Sequence, residues 1–69
     1  MNWTLYRFDP ATKATTYKAL HESGDWSIVK AAEAVEYELC YRLSYLHALI
    51  SMGHYPTRAA AQSAAEELI

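Results

Sequence analysis

Apolar residues recur at spacings of three and four through the middle of the chain. Ile28, Ala32, Val35, Leu39, Leu43, Leu46 and Ile50 form one stripe, at intervals of 4, 3, 4, 4, 3 and 4 residues. At about 100° per residue, that spacing marks one face of a helix. A second stripe, Ala34, Tyr37, Tyr41, Tyr45, Ala48 and Met52, falls on nearly the opposite side. No Gly or Pro interrupts residues 26–52, with Asp25 placed as an N-cap and Gly53 as the residue after the C-cap. The pattern predicts a single helix over 26–52. Glu38 and Arg42, four apart with the acid first, suit an ion pair on its flank.

The flanking segments read differently. Trp3 and Leu5 alternate with Thr4, Tyr6 and Phe8, then Asp9-Pro10 signals a type I turn, and Thr15, Thr16 and Tyr17 favour a strand. Residues 2–20 are expected to form a β-hairpin. Residues 10–22 also admit a helix, capped by Asp9 with Pro10 at its first position. After Gly53 and Pro56, Thr57 is a candidate N-cap for an alanine-rich helix over 57–68. The expected fold is a single domain over 1–69, mainly α with a small β-hairpin.

Size sharpens this picture. The chain has 69 residues, one cysteine and a formal charge of −2, yet 52% of its residues are hydrophobic. Cys40 alone cannot form an internal disulfide. A helix apolar on opposite faces is normally covered on both. One hairpin and one short helix could cover both faces in a monomer. The preferred expectation is that a second molecule covers one of them. Ile28, Val35, Leu39, Leu43, Leu46 and Ile50 suit the core and a helix-mediated homodimer seam. Tyr37, Glu38, Tyr41, Arg42 and Tyr45 then form the candidate target-binding face, since Tyr and Arg are enriched in binding hot spots. Glu33, Glu36 and Glu38 would steer that face towards a basic partner.

Charge and motif content argue against other classes. Residues 1–30 hold four basic and three acidic side chains, and residues 31–69 hold two and five. Neither half carries the basic stripe of a phosphate-contacting protein, so nucleic acid is not the expected partner. No apolar run is long enough to span a membrane and no leader pattern is visible, so the expected setting is cytoplasmic. Glu36, Cys40, His47 and His54 match no familiar zinc spacing, and no metal or cofactor is expected. A mid-helix Cys40 far from a helix terminus does not suggest an activated thiolate, and two glycines cannot build a phosphate loop. No enzymatic activity is expected.

Two resemblances add to this reading. Leu39, Leu43 and Leu46, then Gly53-His54-Tyr55-Pro56-Thr57-Arg58 and the alanine-rich segment to Leu68, resemble the two helices of ribbon-helix-helix proteins, which include small repressors and antitoxins. That resemblance implies a dimeric DNA-binding regulator whose strand precedes the first helix. The corresponding stretch, Ser27–Glu33, carries Lys30 as its one basic side chain and reads as helix, so this is the alternative function. In length, alanine-rich and mildly acidic composition, the chain also resembles small phage-encoded inhibitors of host regulators, of the quorum-sensing anti-activator type. The function this implies is inhibition by capping a host protein, such as a basic DNA-binding domain.

Overall fold

The first turn is built by Asp9. Its carboxylate accepts the Ala11 N–H at 2.9 Å and the Thr12 N–H at 3.4 Å, and its carbonyl accepts the Lys13 N–H at 2.6 Å. Lys13 adopts a left-handed backbone with φ 63° to finish the reversal. The Ala11 N–H is the chief reason the Asp9 carboxyl titrates below its ordinary range. A lowered pKa means that this contribution to the turn is present above the ordinary carboxylate range and is lost as pH falls through the lowered value. The turn joins β1 (Thr4–Phe8) to β2 (Thr15–His21) as an antiparallel pair with a bulge between Leu5 and Arg7.

The computed structural model describes residues 1–69 and continues in the same manner. Strands β3 (Gly24–Lys30), β4 (Tyr37–Arg42) and β5 (Ile50–Tyr55) follow, and the sheet order is β1-β2-β3-β4-β5, antiparallel throughout. Helix α1 (Arg58–Leu68) closes the chain. Thr57 caps it through its side-chain oxygen, which accepts the Ala60 N–H at 3.1 Å. Such a cap contributes about 1 kcal/mol.

This corrects the expected fold. The chain is a five-stranded meander with one helix, not a mainly α protein, and residues 26–52 form no helix. They hold most of β3, all of β4, the start of β5 and the two connections between them. Asp25 is a β3 residue rather than a helix cap, and Gly53 lies inside β5 with φ 124°. The helix seam proposed for a homodimer is therefore absent, and so is the first helix of the ribbon-helix-helix resemblance.

The core lies between α1 and the middle of the sheet. Strand alternation sends Trp26 and Ile28 of β3, and Tyr37, Leu39 and Tyr41 of β4, to one face. Register pairs Trp26 with Tyr41 and Ile28 with Leu39. Ala61 and Ala65 of α1 press on this cluster, and both are fully buried. Alanine is what permits so close an approach, because a larger side chain would hold the helix off the sheet. Arg58 lies 4.5 Å from the Tyr17 ring and ties the start of α1 to β2.

Candidate interaction surface

The sheet face turned away from α1 carries the polar half of the alternation. Asp25 and Arg42 are cross-strand partners, and the Arg42 Nε lies 2.9 Å from the Asp25 Oδ2. The Lys18 Nζ approaches the same oxygen at 3.4 Å. Asp25 is almost wholly buried, and its Oδ1 has no hydrogen-bond partner. One carboxylate oxygen thus holds two cationic side chains. Glu38 pairs across to His54 at 3.7 Å instead of to Arg42. Both contacts are set by strand register, which brings opposite residues within reach.

Cys40 sits on the same face, buried opposite Ser27. Burial, with the nearby Glu38 charge second, pushes its thiol pKa above the ordinary value. The thiol is therefore protonated at neutral pH and is a poor nucleophile. No three His, Cys, Asp or Glu side chains converge as a metal-binding set. A shallow hollow of about 440 Å³ lies over β1 and β2, lined by Asn2, Thr4, Tyr6, Lys18, Ala19 and Leu20. Its one cation, Lys18, is the one engaged by Asp25.

The residues expected to form one target-binding face are scattered. Tyr37 and Tyr41 face α1 and pack against the core cluster. Tyr41 packs at a tilt against Trp26 with ring centres 4.6 Å apart, and its hydroxyl donates to the Ser23 carbonyl. It is a structural residue, so Tyr41→Ala would disturb the fold and does not isolate binding. Glu38 and Arg42 point from the opposite face, Arg42 in an ion pair with Asp25 and Glu38 beside His54. Only Tyr45 stands free, 79% exposed.

The expected dimer seam divides in the same way. Ile28 and Leu39 are fully buried in the core. Val35 is exposed in the connection between β3 and β4, while Leu43, Leu46 and Ile50 are exposed in or beside the connection between β4 and β5. Glu33 and Glu36 lie in the β3–β4 connection, at the other end of the strands from Tyr45.

That regrouping exposes a feature the stripes concealed. Leu43, Tyr45, Leu46, Leu49 and Ile50 are all at least half exposed or nearly so, within eight consecutive residues. The β4–β5 loop is also held in shape. The Ser44 hydroxyl accepts the Leu46 N–H at 3.3 Å and contacts the His47 Nδ1 at 2.9 Å, and the Ser44 carbonyl accepts the His47 N–H at 2.9 Å. Ser44 and His47, three apart, were a readable turn signal within the apolar run. An apolar loop fixed by its own hydrogen bonds loses less freedom on binding than a loose one.

Antiparallel alternation places this loop beside the β2–β3 turn and the start of β1. The last turn of α1 reaches the same end, because the amino group of Met1 meets Glu66 at 2.7 Å. Leu20, Leu68 and Ile69, all substantially exposed, add to the apolar character of that end. No helix is long and apolar enough to cross a membrane. Comparison with family models, with characterised proteins and with solved structures returns no match.

Proposed function

We propose that the chain is a non-enzymatic protein-binding module that caps a target protein through its β4–β5 loop, residues 43–49. The carrying observation is the cluster of Leu43, Tyr45, Leu46, Leu49 and Ile50, exposed on a loop that Ser44 holds in shape. Large exposed apolar patches on small proteins mark interaction sites. Tyr45 at the tip is a residue type favoured at binding hot spots. The protonated, buried Cys40 supports the absence of nucleophilic chemistry. Capping a working surface of the target is how a module of this size would inhibit it. A DNA-binding function has less support, since the first helix of the ribbon-helix-helix resemblance is replaced by strands.

The test is isolation of the tagged chain from its source cells beside a Tyr45→Ser/Leu46→Ser variant. Both side chains are nearly 80% exposed, so the variant should melt within about 0.5 kcal/mol of the parent. A stoichiometric partner that the variant loses by about tenfold or more supports the reading. A partner that the variant retains, or no partner at all, overturns it.

Self-association belongs to this reading through a different surface. β1 is an edge strand exposed at all five positions, with Leu5, Tyr6 and Phe8 outward. Such an edge can pair with a second copy, although the bulge and Arg7 blunt it. The expected homodimer is therefore weak, and sedimentation that stays monomeric at millimolar concentration removes it.

A further inference from the structure

Charge is not shared evenly between the two ends of the sheet, and the loop end holds the excess. The far end carries Arg7, Lys13, Lys30 and Arg58 against Asp9, Glu33, Glu36 and Glu38 and is balanced. The loop end carries Lys18 and Arg42 against Glu22, Asp25, Glu66 and Glu67, so the whole formal charge of −2 resides there. Both of its cationic side chains are held by Asp25. Glu66 is engaged by the Met1 amino group. Glu22 in the β2–β3 turn and Glu67 in the last turn of α1 are exposed, and neither forms an ion pair.

Resting on the loop reading above, we infer that the loop's partner is a protein surface with an apolar strip flanked by Lys or Arg, the strip receiving Tyr45 and Leu46 and the cations facing Glu22 and Glu67. Complementary charge at the rim favours encounter with the right partner and disfavours wrong ones. The same two carboxylates act against a second copy docking end to end, because like charges would meet around a shared apolar contact. They also act against an anionic lipid surface, which would repel them. Asp25 supplies one of the two excess negative charges at this end and draws both Lys18 and Arg42 to its own oxygen.

The experiment is calorimetric titration with two synthetic amphipathic helical peptides of the same apolar strip, one with Lys flanks and one with Glu flanks. The parent chain should bind the Lys peptide about tenfold more tightly than the Glu peptide at low salt, and added salt should shrink the difference. Glu22→Gln/Glu67→Gln should reduce that preference to about threefold or less while leaving a common apolar affinity. Leu46→Ser should weaken both peptides. Equal binding of the two peptides by the parent, with both weakened by Leu46→Ser, overturns the charge inference and leaves the loop reading standing. Binding of the Lys peptide that survives Leu46→Ser overturns the loop reading itself. Binding of neither peptide overturns the inference.

Discussion

Leu39→Ala should leave much of the chain unfolded at room temperature, while Leu43→Ala and Leu46→Ala should melt like the parent. Leu39 is 0% exposed and packs against Ile28, Ala61 and Ala65. Removing a buried leucine side chain costs about 2–5 kcal/mol, the larger values arising where the site cannot collapse. A core of this size supplies only about 3–5 kcal/mol in total. Leu43 and Leu46 are 61% and 78% exposed, where substitutions cost about 0.5 kcal/mol or less. Urea unfolding of the three variants reads this directly. The contrast also separates the two folds, because a helix seam would place all three leucines on one face and make them comparably important. Similar losses in all three would contradict the meander.

Gly24→Ala should be the second severe substitution. Gly24 has φ 144°, a conformation L side chains rarely adopt. A Cβ there would lie 2.5 Å from the Tyr41 ring and 2.7 Å from the Arg42 carbonyl oxygen. Tyr41 cannot simply swing away, because its ring packs against Trp26 and its hydroxyl holds the Ser23 carbonyl of the adjacent turn. Backbone strain and overpacking each cost roughly 1–3 kcal/mol, so the variant should lose about 3 kcal/mol or more. Gly53→Ala is the control. Its φ of 124° brings strain, but the nearest atom to a new Cβ is the Tyr55 hydroxyl at 3.5 Å. It should lose about 1–2 kcal/mol. Equal thermal shifts for the two variants would mean that Tyr41 does not lie over Gly24 as described.

The stripes misled for a geometric reason. A spacing of four residues is in phase with a helix, and equally with a strand, whose period is two. Only spacings of three distinguish them. In the aliphatic stripe those spacings are Ala32 to Val35 and Leu43 to Leu46, and both fall inside loops. In the tyrosine stripe, Ala34 to Tyr37 runs from a loop into β4, and Tyr45 to Ala48 lies in the β4–β5 loop. Within the strands the alternation is unbroken, with Trp26 and Ile28 against Asp25 and Ser27, and Tyr37, Leu39 and Tyr41 against Glu38, Cys40 and Arg42. Aromatic and β-branched residues at 26, 28, 29, 37 and 41 were the readable sign of strand.

Local chemistry was more legible than long-range pairing. Asp9 with Pro10 marked a turn, and Thr57 marked the start of α1, because each acts through hydrogen bonds to its own neighbours. The ion pairs could not be read that way. Arg42 was expected to meet Glu38 four residues away, but register gave it Asp25, seventeen residues away. The candidate site was concealed by the same error. Leu43, Tyr45 and Leu46 stand out as apolar in the sequence, yet a helix would divide them between opposite faces, whereas the loop gathers them at one end.

One measurement bears on both the fold and the loop. In an NMR titration of the carbon-13- and nitrogen-15-labelled chain with the Lys-flanked peptide, carbon shifts should report extended backbone over Gly24–Lys30, Tyr37–Arg42 and Ile50–Tyr55. Peptide-induced changes should concentrate on residues 43–50, with lesser ones at residues 20–23 and 66–69. Helical shifts across 26–52, or changes centred on residues 9–14 and 31–36 at the opposite end, would contradict the account.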